Sequence, residues 1–124
     1  MPEQPIVLIV EDELGSRESL RAVLTSHYRV LVAMEGEQAI RIVEQEPVDI
    51  VLLDLRLPGL SGMQVLEKIK AINPSIAVIV VTAYASDETL REGARRQVFA
   101  YITKPFLVSH LRETVKQAIA QRSP

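Results

Sequence analysis

The chain has 124 residues and a hydrophobic fraction of 48%, which suits the core of one ordinary domain and is too high for a disordered chain. A net charge of -2 gives no general attraction to nucleic acids or anionic membranes. The lack of cysteine excludes disulfides and thiolate-bound metals, and no aliphatic run approaches the roughly 20 residues of a transmembrane helix. Because the start of the chain has no signal-peptide pattern, we expect a cytoplasmic protein.

Five aliphatic segments predict the β-strands of one sheet. They cover residues 6–10, 29–33, 49–54, 76–82 and 98–103. The first segment shows no alternation of apolar and polar residues. Both of its faces are therefore expected to be buried, as in a parallel sheet with helices on either side.

Helical periodicity fills the segments between the strands. Predicted helices cover residues 14–26, 35–45, about 62–72 after an N-cap at Ser61, a segment from Ser86, and 107–121. Their predicted core residues are Leu20, Val23 and Leu24, then Ala39, Ile40 and Val43, then Val65, Leu66, Ile69 and Ile72, and finally Leu111, Val115 and Ile119. The segment from Ser86 is the weakest, since Gly93 inside a helix costs about 1 kcal/mol relative to alanine. Strands alternating with helices predict an α/β fold built from right-handed crossovers.

Three of the strands end in side chains that carry oxygen. The first is followed by Glu11 and Asp12, the third ends in Asp54, and the fourth ends in Thr82. In an open parallel sheet, ligands bind outside the carboxyl ends of the strands at a topological switch point. The sequence therefore predicts one polar site at this edge.

Several motif residues follow one another in an order typical of one family. They are the pair Glu11-Asp12, Asp54, Pro58 and Gly62, Thr82 with the small Ala83, and Lys104-Pro105-Phe106. From residue 6 to about residue 121, the chain resembles the receiver domain of bacterial two-component response regulators. The resemblance implies a flavodoxin-like, doubly wound, five-stranded parallel sheet in the order 2-1-3-4-5 with helices on both faces. It also implies one receiver domain over residues 1–124.

The resemblance assigns phosphoryl chemistry to three side chains. Asp54 would accept the phosphoryl group as an acyl phosphate. Lys104, which precedes a cis peptide bond in this family, would neutralise the phosphoryl oxygens, and Thr82 would donate its hydroxyl to one of them. The simpler alternatives are a turn aspartate, a solvated lysine and an ordinary strand threonine.

The same resemblance implies a Mg²⁺ site. Three carboxylates in one pocket repel one another and need a cation, and Mg²⁺ prefers hard oxygen ligands. Asp12, Asp54 and the backbone carbonyl of Arg56 would bind the ion directly, and Glu11 would act through water. The alternative is that Glu11 and Asp12 only cap the first helix.

The family also implies positions for switching and for access to the phosphoryl group. Tyr101 would turn inward as Thr82 moves toward the phosphoryl group, while Ala83 and Tyr84 would control access. Arg56 and Tyr84 occupy positions that tune hydrolysis, and their bulk predicts slow autodephosphorylation. The chain would thus be a regulatory phosphoacceptor rather than a conventional enzyme.

The implied partners are a sensor histidine kinase or phosphotransfer protein on one side and an output domain or effector protein on the other. The surface of the fourth predicted helix and the fifth strand would change conformation on phosphorylation. Family members often dimerise or bind effectors through the side that carries Arg91, Arg95 and Arg96, so a homodimer is among the expected partners. Neither nucleic acid nor a membrane is expected to bind this domain directly.

Two features depart from the family pattern. Gln97-Val98 stands where relatives have Gly-Ala, which predicts a different turn before the fifth strand. Leu107 replaces an aspartate that caps the last helix in many relatives.

Two other functions fit the predicted fold. A Mg²⁺-dependent phosphatase with an aspartyl-phosphate intermediate often has a second acid two residues after the nucleophile, where this chain has Arg56. A flavin-binding protein would have a phosphate-binding loop rich in Ser, Thr or Gly after the first strand, where this chain has Glu11-Asp12-Glu13.

Overall fold

The computed structural model describes residues 4–83, 91, 95 and 97–122. The strands are β1 (Ile6–Val10), β2 (Arg29–Ala33), β3 (Ile50–Leu53), β4 (Ala77–Thr82) and β5 (Ala100–Thr103). The helices are α1 (Leu14–Leu24), α2 (Gly36–Gln45), α3 (Gly62–Ile72) and α4 (Val108–Arg122). Predicted and observed boundaries agree to within two residues at every one of these ends, which is the usual scatter at frayed termini.

The five strands form one parallel sheet in the order β2-β1-β3-β4-β5. This confirms the predicted topology, in which the chain leaves β1 for one edge and then returns past it. The reversal falls between β1 and β3, whose register pairs Val10 with Leu53. The carboxyl ends of β1 and β3 therefore lie side by side at the switch point.

Two hydrophobic layers cover the sheet, one on each face. On the first face, buried residues of α2 and α3 pack against alternate strand residues such as Leu8, Val51 and Val78. On the second face, α1 and α4 pack against the intervening residues, which include Ile9 and Leu52. Every residue of β1, β3 and β4 is buried, as the continuous aliphatic runs predict.

The predicted core residues are mostly confirmed, with two corrections in the helices. In α2, Ile42 rather than Ile40 packs against this core cluster beside Ala39 and Val43, and both isoleucines are partly buried. Ile72, at the last position of α3, is 40% exposed. Periodicity identified the apolar stripe correctly, but it could not fix the edge of the stripe, where burial depends on the neighbouring element.

Side-chain hydrogen bonds cap the starts of α1 and α3. Ser61 caps α3 as predicted, because its hydroxyl accepts from the Gln64 backbone N–H. The Gln64 side chain in turn accepts from the Ser61 backbone N–H, which completes a capping box. Glu13 caps α1 by accepting hydrogen bonds from the backbone N–H groups of Gly15 and Ser16. Both caps lie in loops that follow a strand ending at the polar edge of the sheet, Glu13 after β1 and Ser61 after β3.

The fourth predicted helix falls mainly on residues outside the described part of the chain. Of its members, Arg91 and Arg95 are described, and both are helical and exposed. Within the described ranges, none of the helices has the length and apolar character needed to cross a membrane.

Candidate functional site

The register of the sheet brings the predicted site residues to one level. The N–H of Asp54 donates to the Val10 carbonyl at 3.1 Å, so the residue after β3 lies beside the end of β1. The N–H of Lys104 donates to the Thr82 carbonyl at 3.0 Å, which places the lysine beside the end of β4. Four strands thus deliver Glu11, Asp54, Thr82 and Lys104 to the same edge.

Alternation along the strands explains why three of these side chains converge. Ile9, Leu52 and Ile102 all pack into the layer formed with α1 and α4. Side chains two positions further along a strand point to the same face. Those positions are occupied by Glu11, Asp54 and Lys104, respectively.

Asp54 is 7% exposed and each of its carboxylate oxygens already accepts hydrogen bonds. Oδ1 accepts from the Arg56 backbone N–H at 2.8 Å and from the Thr82 hydroxyl at 3.3 Å. Oδ2 accepts from the Lys104 ammonium at 2.7 Å. The carboxylate is therefore held in one orientation by an amide, a hydroxyl and a cation.

Lys104 bridges two buried carboxylates. Its ammonium forms ion pairs with Glu11 and Asp54, and its side chain is 16% exposed. Burial lowers the pKa of Lys104, but the hydrogen bonds to Asp54 and Glu11 outweigh this effect and leave the pKa raised. Burial, together with repulsion from Asp54, raises the pKa of Glu11 despite the contact with Lys104. The Lys104–Pro105 peptide bond is cis, as the resemblance implies.

Asp12 and Glu13 lie at the rim rather than inside the cluster. Both are exposed, and with Glu11, Asp54 and Arg56 they line a cavity of about 320 Å³. The side chain of Ser16 and the backbone N–H groups of Ser16 and Gly15 donate hydrogen bonds to Glu13, which lowers the pKa of that carboxyl. Sequence reasoning missed this cap because glutamate is not among the preferred capping residues.

Gly62 allows the loop after β3 to close tightly over the start of α3. A Cβ at this position would lie 2.6 Å from the Leu55 Cα and 2.9 Å from the Asp54 carbonyl oxygen. The Gly62 N–H also donates to the Leu55 carbonyl at 3.1 Å. Only a residue without a side chain fits beside the backbone that carries Asp54.

The donor set matches the chemistry of a magnesium site, but its present arrangement does not. Carboxylates of Glu11, Asp12 and Asp54 share one cavity, and hard oxygen ligands suit Mg²⁺. Within the described ranges, however, no three His, Cys, Asp or Glu side chains are grouped closely enough to hold a metal ion. Lys104 supplies the positive charge between Glu11 and Asp54 in this structure.

The remaining predicted positions differ in how far the structure describes them. Ala83 is exposed and lines the same cavity, and Tyr101 is half-buried on β5. Arg56 is exposed, two residues after Asp54. Tyr84 lies outside the described residues.

These features define a receiver domain, and the comparison of sequences agrees. The family described as the response regulator receiver domain matches residues 7–116. The chain belongs to that family, whose members act in phosphorylation-dependent signalling as regulatory domains rather than as conventional enzymes.

Individual relatives match the chain at moderate sequence identity. The chain is 35% identical over 118 residues to sporulation initiation phosphotransferase F of Bacillus subtilis, covering 94% of this chain and 95% of that protein. It is 36% identical over 115 residues to the transcriptional regulatory protein ZraR of Escherichia coli, covering 92% of this chain and 26% of that protein. It spans 24% of the hydrogenase transcriptional regulatory protein HoxA of Cupriavidus necator.

A similar structure has been solved by crystallography. A CheY-like response regulator receiver domain protein from Methanospirillum hungatei superposes with a TM-score of 0.93 at 29% identity, covering 97% of both chains. The relatives therefore include proteins of this length and proteins about four times longer, in which the matching region is one part.

Proposed function

We propose that this chain is a phosphorylation-activated switch that receives a phosphoryl group on Asp54 from a sensor histidine kinase or phosphotransfer protein. The observation that carries the proposal is the set of three donors on the Asp54 carboxylate, from Arg56, Thr82 and Lys104. These donors fix a buried nucleophile at the switch point of the sheet and supply positive charge where the phosphoryl oxygens would arrive.

In the proposed reaction, a carboxylate oxygen of Asp54 attacks phosphorus while the bond between phosphorus and the donor atom breaks. The product is an acyl phosphate, and the donor nitrogen of a phosphohistidine leaves as neutral imidazole after taking up a proton. The Lys104 ammonium and the Thr82 hydroxyl, both already in contact with Asp54, would each neutralise or bind a phosphoryl oxygen.

We propose that Mg²⁺ is the cofactor and that Asp12, Asp54 and the carbonyl of Arg56 hold it, with Glu11 contributing through water. The bound ion would supply positive charge shared between the carboxylate and the incoming phosphoryl oxygens. Support comes from the cavity that these residues line together and from their hard oxygen ligands, which suit Mg²⁺.

The output would pass from the site to β5. Thr82 lies at the end of β4 and pairs with Thr103 in the β5 register, two residues after Tyr101. We propose that phosphorylation draws the Thr82 hydroxyl from the carboxylate to the phosphoryl group and turns Tyr101 inward. The change would bias the surface of β5 and the preceding helical segment toward an output domain, an effector protein or a second copy of the chain.

The phosphatase alternative is not favoured by the residue two positions after Asp54. Its acid/base role would fall to the residue two positions after Asp54. That residue is Arg56, whose guanidinium stays protonated in proteins and therefore cannot act as a general base.

Incubation with acetyl phosphate, followed by intact-mass spectrometry, tests the proposal. The wild-type chain is expected to gain one phosphoryl group only in the presence of Mg²⁺, and Asp54→Asn is expected to gain none. Uptake by the asparagine variant, or uptake by the wild type in a chelator, would contradict the assignment. After removal of the donor, we expect slow loss of the adduct because Arg56 is bulky, and a half-life of seconds would contradict this.

A further inference from the structure

We propose that Arg17 is a positioning residue for the magnesium site, because it holds the backbone on both sides of Asp12 and so keeps that carboxylate at the cavity. The inference rests on the proposed function and adds a residue that acts on the metal only through Asp12. Arg17 itself touches neither the ion nor the phosphoryl group.

The first step concerns the loop between β1 and α1, which consists of residues 11–13. The Glu11 N–H donates to the Ala33 carbonyl at 3.0 Å, and Glu13 caps α1. Asp12 stands between these two fixed points, and its side chain is exposed. Because packing does not hold an exposed carboxylate, its place at the cavity depends on the backbone that carries it.

The second step concerns the contacts of Arg17 with that backbone. One guanidinium nitrogen, Nη1, donates to the Glu11 carbonyl and to the Asp12 carbonyl, each at 3.3 Å. These carbonyls belong to the two peptide units that flank the Asp12 Cα. Since peptide units are planar, holding both of them fixes the two backbone dihedrals of Asp12 and thereby the direction of its side chain.

The third step concerns the place of Arg17 in its helix. The amino end of a helix carries partial positive charge, so a cation is less favourable there than an acid. Arg17, the fourth residue of α1, is nevertheless half-buried, because helical side chains lean toward the amino end and this one reaches back over the loop. Arg21, one turn later, is exposed and pairs with Glu18 at 3.3 Å. The contacts of Arg17 thus distinguish it from an arginine on a solvated helix face.

The fourth step concerns the route by which Arg17 acts. Asp12 and Asp54 line the cavity of about 320 Å³, and Arg17 is not among the described residues that do so. The charge of Arg17 repels Mg²⁺, so loss of the charge alone would tighten metal binding. Loss of the two hydrogen bonds would weaken it, because Asp12 could then turn away from the cavity. The sign of the effect therefore separates the two roles.

Isothermal titration of MgCl₂ into the wild type, Arg17→Gln and Arg21→Gln tests the proposal. Removing a group that orients a metal ligand typically weakens metal binding about 10–100-fold, and we expect the Kd of Arg17→Gln to rise about tenfold because Asp12 is one of several ligands. Arg21→Gln removes the same charge from the same helix. Because salt screens exposed charges, its Kd should stay within about twofold of the wild type. Circular dichroism reports whether each variant is folded.

Initial rates of uptake from acetyl phosphate give a second readout. Arg17→Gln should be slower than the wild type at a low Mg²⁺ concentration, and excess Mg²⁺ should restore the rate, because the groups in contact with Asp54 are unchanged. A deficit that persists at saturating Mg²⁺ would show that Arg17 acts on phosphoryl transfer itself and would overturn the positioning role.

Backbone NMR relaxation of the metal-free protein tests the hold of Arg17 on the loop without metal or phosphoryl donor. The Asp12 amide should have an order parameter of about 0.85 in the wild type and in Arg21→Gln, and a clearly lower one in Arg17→Gln. If Arg17→Gln does not fold, the wild type decides the matter, since an Asp12 order parameter below about 0.6 would overturn the proposal.

The outcomes separate this proposal from the proposed function. A Kd of Arg17→Gln equal to or lower than that of the wild type would overturn the role of Arg17 and leave the magnesium site in place. A wild type that does not bind Mg²⁺ would overturn both. A wild type that binds Mg²⁺ but takes up no phosphoryl group would count against the proposed function alone.

Discussion

Two aspartates flank β3, and they lie in opposite surroundings. Asp49 precedes the strand and Asp54 follows it, so the same four buried residues separate them. The Asp49 carboxylate accepts from the Ile6 N–H at 2.8 Å, while its own N–H donates to the Ile6 carbonyl at 2.9 Å. This aspartate joins the starts of β1 and β3.

At the other end of the strand, Asp54 is more buried and shares its cation with a second carboxylate. Asp49 satisfies a backbone donor, which stabilises the fold directly. Asp54 is held beside Glu11 at the cost of charge repulsion, which the Lys104 ammonium relieves. The difference shows that burial of an acid at a strand end does not define a site. Crowding with a second acid around a shared cation does.

The comparison predicts opposite outcomes for variants of the two aspartates, and these are the largest effects expected. One variant should lose stability and keep phosphoryl uptake, and the other should lose uptake and keep stability. Asp49→Ala should lose about 1–3 kcal/mol of unfolding free energy, because the nearly buried Ile6 N–H loses its acceptor, and should keep uptake from acetyl phosphate. Asp54→Asn should abolish uptake and be at least as stable as the wild type, because one of two repelling charges is removed.

Urea unfolding at neutral pH measures the free energy of unfolding of both variants, and mass spectrometry measures their phosphoryl uptake. The functional contrast between the two ends of β3 would be wrong if Asp49→Ala also lost uptake while remaining folded. A larger loss of stability in Asp54→Asn than in Asp49→Ala would show that Asp54 has a structural role.

The loop after Asp54 offers a second test, with a smaller effect. Gly62→Ala should cost about 1–3 kcal/mol and slow phosphoryl uptake, because the new Cβ would push against the backbone of Asp54 and Leu55. Gly59→Ala is the matched control. Gly59 has a φ of +76° with no atom within 4 Å of the added Cβ, so this change strains only the turn.

We expect Gly59→Ala to take up the phosphoryl group at nearly the wild-type rate even where it lowers the melting temperature. Stability from urea unfolding and initial rates with acetyl phosphate separate the two variants. Equal slowing by both would show that general loosening of the loop, rather than contact with the Asp54 backbone, controls the site.

The smallest effect is expected at the amino end of β5, whereas the site lies at the carboxyl ends of the strands. Gln97, just before β5, has a φ of +62°, in the left-handed region that disfavours residues with a Cβ. Gln97→Gly should raise the unfolding free energy by up to about 1 kcal/mol, with the gain reduced by the greater freedom of glycine in the unfolded chain. Thermal and urea unfolding would both report it.

Gln97→Ala provides the control, since it removes the side chain but keeps the Cβ. It should bring no gain. A gain as large as that of glycine would show that the glutamine side chain, which lines a small cavity with Glu67 and Arg95, is itself unfavourable. Uptake at Asp54 should be unchanged in both variants.

The departure at Gln97-Val98 was visible in the sequence, and the structure shows what it does. Gln97 stands where the resemblance implies glycine, and its φ of +62° is one that strains a residue with a Cβ. A pattern of residue types predicts that the turn differs, but it cannot tell whether the backbone or its energy changes. Here the conformation is one that glycine would adopt freely, and the difference appears as strain.

The strands were predictable because continuous aliphatic runs alternate with segments of helical periodicity, which is typical of a parallel sheet. The strand order followed from the resemblance to the receiver family. The identity of the site edge followed from acids placed directly after those runs. The side-chain contacts were harder to predict from the sequence. Nothing in the local sequence of Lys104 indicates that its ammonium would also contact Glu11, since 93 residues separate the pair along the chain.

The sequence by itself determined the five strands and the edge at which Glu11, Asp54 and Thr82 would meet, because these follow from local polarity and period. The family and the place of Lys104 at that edge followed from the motif residues that the chain shares with receiver domains. Only the tertiary structure decided how the charges are shared. Strand register and the alternation of side chains bring one ammonium between two buried carboxylates and leave Asp12 at the rim. Coulomb energies depend on distance and solvent exposure, and neither is written in the order of the residues.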